Sequence, residues 1–189
     1  MRKLLKAITA AIAIAGVVPN SGFGATDPQT QPAVWTPKET QFVSMGFTTL
    51  YSCDGLRDKV QAILLDLGAR KDDLKVREYG CSAPEGRPSR VAGVSIKMSV
   101  LTPATDAQSP SVVPAYWKTV ELRGNGSRYL DPGDCELVDQ VRQQVLPLFT
   151  TRNVEADIHC TPHQLSPTGP VLKVEVLSPA PEKKAVAER

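Results

Sequence analysis

"IKMSVLTPA" at residues 96–104 and "LKVEVLSPA" at residues 172–180 are almost the same nine letters written twice. A chance likeness between two strands would stand alone, whereas a copied unit repeats other features in the same order. Several do recur. "PAVW" at 32–35 answers "PAYW" at 114–117, and each tryptophan lies 18 positions before a cysteine, Trp35 before Cys53 and Trp117 before Cys135. Each of those cysteines is followed by an acid and an amphipathic segment, "CDGLRDKVQAILLDL" and "CELVDQVRQQVLPLF". A second cysteine, Cys81 or Cys160, then precedes the nine letters. This order predicts an internal duplication: a first repeat over 26–104, a Pro/Ser/Ala-rich linker over 105–113, a second repeat over 114–180 and a disordered tail over 181–189.

Periodicity assigns the elements within a repeat. Leu56, Val60, Ile63, Leu64 and Leu67 recur at helical spacing, with Asp54 to cap the start and Gly68 to end the helix. Leu137, Val138, Val141, Val145 and Leu148 do the same behind Asp134, and Pro147 should end or kink the last turn. The segment 154–160 alternates strictly, which predicts a strand with Val154, Ala156, Ile158 and Cys160 inward. The nine-letter segments place Ile96, Met98, Val100, Leu172, Val174 and Val176 inward. Residues 42–52 read as the first strand of the first repeat, and Pro37 interrupts its tryptophan end where the second repeat reads "YWKTVELR".

Each repeat is therefore expected to be β-α-β-β. A strand, a crossover helix and a second strand normally pair in parallel, and the third can turn back. The fold class predicted is α+β: internally duplicated units forming a two-layer sandwich, with helices packed on a mixed sheet and one disulfide per repeat. About 70 residues alone supply a thin core, so the two repeats are expected to share one body, with two separate lobes on the linker as the alternative.

The chain opens with Arg2, Lys3 and Lys6 before an apolar run from Ala7 to Val18, broken by Pro19 ahead of small residues. That pattern predicts a secretory signal peptide over 1–25, too short to span a membrane. Its removal takes away three cations and no acid, so 22 Lys and Arg fall to 19 against 20 acids, a net charge of −1. Nothing in that balance draws the mature chain to nucleic acid or anionic lipid, and no stable membrane insertion is expected after cleavage. The expected address is the periplasm or the exterior of a Gram-negative bacterium.

Four cysteines in an exported chain favour disulfides, and four allow three connectivities. In a β-α-β unit the ends of the first and second strands lie at one edge of the sheet. Cys53 should then pair with Cys81, and Cys135 with Cys160. The absence of C-x-x-C and spacings of 28 and 25 argue against a redox or zinc site.

Chemistry-bearing motifs are scarce. The two histidines, His159 and His163, flank Cys160 in "HCTPH" and are weak candidates for copper or zinc, because Pro162 prevents the helical turn that would align them. No hydrolase or phosphate-loop signature is present. Asp54, Asp58, Asp134, Glu136 and Asp139 near the helix starts are explained by capping and the helix dipole. No cofactor is expected, and the chain reads as non-enzymatic.

Loops gathered at strand ends are where binding residues concentrate. Residues 82–91 supply Glu85, Arg87 and Arg90, and residues 161–170 supply His163 and Gln164. The expectation is an exported, disulfide-stabilised binding or envelope-associated structural protein, its partner an unidentified envelope component or protein. The alternatives are a periplasmic enzyme of unrecognised type and a metal-handling protein using His159 and His163.

Overall fold

The two matched segments build strands and one helix each, in the same order. A computed structural model describes residues 30–81, 86–106, 110–125 and 129–181. The expected signal segment 1–25, the tail from 182 onward and Glu85 lie outside the described residues. The first segment contains β1 (Gln31–Met45), α1 (Cys53–Asp66), β2 (Lys75–Tyr79) and β3 (Val91–Pro103). The second contains β4 (Val113–Arg123), α2 (Cys135–Gln144), β5 (Thr151–Asp157) and β6 (Val171–Pro179), with a 3-10 turn at Leu146–Leu148 after α2. The six strands form one sheet in the order β2-β3-β1-β4-β6-β5, every neighbouring pair antiparallel.

The expected mixed sheet is therefore corrected. β1 and β2 do run in the same direction, but β3 lies between them, as β6 lies between β4 and β5. Burial explains the insertion. β3 carries Val94, Ile96, Met98 and Val100 into the core, whereas β2, "KVREY", has only Val76 partly buried against it. An apolar strand belongs inside the sheet and a charged, short one at its edge, where it also discourages pairing with another chain.

Two strand expectations also change. β1 starts at Gln31 rather than 42 and runs unbroken through Pro37. Pro37 stands opposite Ser99, whose carbonyl accepts from the Arg70 N–H on the far side, so the ring nitrogen of Pro37 faces the unpaired edge of β1. That is where a sheet tolerates proline. At the other end, β5 spans Thr151–Asp157 and does not reach Cys160. Its register shifts between Arg152 and Glu155, Asn153 takes φ 50°, and Val154 and Ala156 are exposed. Ala156 stands opposite the core-facing Leu172, but this edge strand is exposed on both faces from Arg152 to Asp157.

The helices follow their periodicity. Leu56, Val60, Ile63, Leu64 and Leu67 of the first, and Leu137, Val138, Val141 and Val145 of the second, are buried in one cluster with β3 and β6. Gly68, at φ +92°, ends α1. The start of α1 is capped by Ser52, whose hydroxyl accepts from Gly55 N, rather than by Asp54. The opposite face of the sheet carries a smaller cluster of Ala33, Leu101, Ala115 and Leu177, flanked by Trp35 and Trp117.

β1 and β4 pair only over Gln31–Ala33 and Val113–Ala115, then run apart. This leaves an open edge along the rest of β1, and α2 from the other segment closes its far end. Gln144 exchanges hydrogen bonds with the backbone of Val43, Gln140 with that of Met45, and Glu136 accepts from the N–H groups of Phe47 and Thr48. Four residues of helix advance about 6 Å and two residues of strand about 6.6 Å. Side chains at 136, 140 and 144 thus keep step with backbone groups at 47, 45 and 43.

Candidate functional site

Two disulfides stand at the helix starts: Cys53 bonds Cys81, and Cys135 bonds Cys160. Between these starts lies a buried polar node. Asp134 is 0% exposed, and one of its oxygens accepts the Tyr51 hydroxyl at 2.6 Å. The other accepts Lys59 Nζ at 2.6 Å and the Asp131 N–H at 2.8 Å. Lys59 also donates to the Tyr129 carbonyl and the Asp131 carboxylate. Asp134 precedes α2 but makes no side-chain cap, because its oxygens are used across the segments instead.

This environment sets the proton affinities. Burial, then the charge and hydrogen bond of Asp134, push the Tyr51 phenol well above its ordinary value. Burial opposes the Lys59 ammonium, but its hydrogen bonds to Asp134 and Asp131 outweigh that and raise its pKa. Burial and Asp66 raise Tyr129 in the same way. A group that holds its proton more tightly when folded contributes stability below its unfolded pKa and loses it as pH climbs beyond. The urea midpoint should hold steady to about pH 9.5 and fall above about pH 10, where unfolded tyrosine and lysine ionise. Tyr51→Phe should flatten that fall. A midpoint unchanged up to pH 11, or an equally steep fall in the variant, would contradict this account.

The candidate loops meet near the node. Ser89 N donates to the Tyr51 carbonyl and Gly46 N to the Arg90 carbonyl, which lays the end of loop 82–91 beside residues 46–51. On the other side His163 meets the Phe47 ring edge-on at 6.3 Å. Leu165 lies close to Gly133, which Thr49 also contacts through a hydrogen bond to its carbonyl. Arg87, Arg90, His163 and Gln164 are exposed. Around them Phe47 is 45% and Leu165 67% exposed.

The histidines have different neighbours. His159 Nε2 lies 3.1 Å from Asp157, His163 packs on Phe47, and Cys160 is held in its disulfide. Among the described residues, no three His, Cys, Asp or Glu side chains gather where they could hold a metal ion. No helix among them is long and apolar enough to cross a membrane.

A concavity opens where β1 and β4 part. It is a cleft of about 350 Å³ under the end of α1, lined among others by Trp35, Gly68, Arg70, Lys71, Lys118 and Ser178. The Arg70 guanidinium stands 5.6 Å from the Trp35 ring centre, and Lys118 Nζ is 3.4 Å from the Asp66 carbonyl. Arg152 stacks more closely on Trp117, at 4.3 Å.

Sequence reasoning had not singled out Tyr51, Lys59, Arg70 or Lys118. One signal was available: Arg70 follows Trp35 by 35 positions, and Arg152 follows Trp117 by the same 35. No family model, curated protein or solved structure matches the chain.

Proposed function

We propose that this is an exported, non-enzymatic binding protein whose disulfide-held loops capture an envelope component or protein in the periplasm or outside the cell. The observation that carries this reading is apolar surface held on anchored loops. Phe47 and Leu165 are exposed beside the Cys135–Cys160 bridge, while the charged groups beneath them are occupied in internal bonds. Exposed apolar residues grouped with adaptable polar ones, His163, Gln164 and Arg90, suit a protein-recognition surface. Two disulfides fit an oxidising compartment.

The same reading includes an origin by duplication. Trp35, Cys53 and Arg70 recur 82 positions on as Trp117, Cys135 and Arg152, and both tryptophans carry an arginine on the ring. Descent from one copied unit accounts for this recurrence.

The test replaces residues 161–168 with a Gly/Ser segment, keeping Gly169 and Pro170, which pack against Gly124. The tagged variant should keep its circular dichroism and both disulfides. It should no longer retain the species that the unaltered protein captures from envelope extract. Retention unchanged by the replacement would refute the placement of the binding surface.

A further inference from the structure

The cleft at the end of α1 has the chemistry of a binding site of its own, separate from the loops. Among the described residues its lining includes three cations, Arg70, Lys71 and Lys118, and no acid. Trp35 and Tyr116 contribute aromatic surface. The hydroxyl of Ser178, a residue only 3% exposed, has no hydrogen-bond partner. Buried hydroxyls are rarely left unsatisfied, so an orphan in a cation-rich recess points to a missing acceptor or donor.

The matched position in the other segment shows how the recess arises. Position 150, 82 after Gly68, is Thr150, whose hydroxyl reaches across to the Leu101 carbonyl at 2.9 Å. Gly68 has no side chain to do this. A Cβ there would lie 3.2 Å from Ser178 Oγ and 3.7 Å from the Leu177 carbonyl. Position 36, 82 before Lys118, is Thr36, whose hydroxyl pairs with that of Thr102 at 2.7 Å. Lys118 turns away to the Asp66 carbonyl and leaves Ser178 unpaired. Thr36 and Thr150 close the region around Leu101 and Thr102, and at the matched region around Leu177 and Ser178 lysine and glycine stand in their places and leave it open.

We infer that this cleft binds a small organic anion, a carboxylate or phosphate carried on a flat apolar body. The anionic group would meet Arg70, Lys71 and Lys118, with the Ser178 hydroxyl completing its hydrogen bonds. The body would lie against the tryptophan, whose face offers area at little entropic cost. A cleft of this volume falls at the lower end of the range for small-molecule sites.

Two probes and one control test it: 2-naphthoate, 1-naphthyl phosphate and inorganic phosphate, followed in the amide spectrum of ¹⁵N-labelled protein. The indole N–H signals are assigned with Trp117→Phe. The Trp35 indole should shift and saturate with a naphthyl probe at about 1 mM or below, while Trp117 stays in place. Arg70→Gln and Lys118→Thr should each weaken binding at least about tenfold. Arg70→Lys, which keeps the charge, should weaken it less, and matching unfolding midpoints show that the variants are folded. Which naphthyl probe binds tighter identifies the head group. Saturation by inorganic phosphate at the same concentration would remove the role given to the apolar body. Equal shifts at both indoles, or affinities unchanged in the Arg70 and Lys118 variants, would overturn the site. Because residues 161–168 are untouched, this result stands or falls independently of the loop replacement.

Discussion

Lys59→Met will cost about 3 to 5 kcal/mol of folding stability, because it leaves the buried Asp134 carboxylate without its cation. Asp134 would keep only the Tyr51 hydroxyl and the Asp131 N–H, two neutral donors, inside a site from which water is excluded. The methionine fills a similar volume, so the loss reports charge rather than packing. Asp134→Asn in the same background should restore part of the loss, since the uncompensated charge is gone while an oxygen remains for Tyr51. Denaturant midpoints of the two single variants and the double variant read the coupling directly. A loss below about 1 kcal/mol would mean that Lys59 and Asp134 behave as an exposed pair, against their burial.

Replacing Cys135 and Cys160 together with alanine should remove about 3 to 4 kcal/mol, from the loop entropy released over a separation of 25 residues. The effect should also be local. This bridge fastens the start of α2 to the chain leaving β5, an edge strand already bent by its bulge and largely exposed. Limited proteolysis should therefore cut first within 158–168 in the variant, before global unfolding. Removing Cys53 and Cys81 should cost a similar amount, since the separation is 28, but should expose the chain around residue 80 instead. Equal protease resistance in all three proteins would contradict the assigned anchoring roles.

Much of the local structure could be read from residue order. The faces of α1 and α2 were legible because 3.6-residue periodicity survives any arrangement of neighbours. So were the inward residues of β3 and β6, because a strand covered by helices on one face must alternate. The ends of α1 and α2 followed from Gly68 and Pro147, whose backbones carry their own constraint.

Where neighbours decide, residue order was insufficient. Nothing local says that β3 enters between β1 and β2, since both arrangements bury the same alternating face. The choice rests on how much apolar surface each strand brings to the middle of the sheet. Pro37 looked like an interruption because its tolerance depends on which edge of β1 lies unpaired. Val154 and Ala156 looked buried because an alternating pattern does not show that an edge strand is left exposed on both faces. Cys53 and Cys81 still meet at one end, since β1 and β2 run in the same direction with β3 between them.

The candidate sites divide in the same way. The sequence alone determined which residue types were available: cysteines at helix starts, two histidines around one of them, tryptophans and arginines at repeated spacing. Tertiary structure alone decided that Lys59 and Tyr51 converge on Asp134 from the other segment, and that Gly68 and Lys118 leave a recess where Thr150 and Thr36 close one. Tyr51 and Lys59 lie 83 and 75 residues from Asp134; they meet it only through packing of one segment on the other, and their pairing leaves no periodic trace in either.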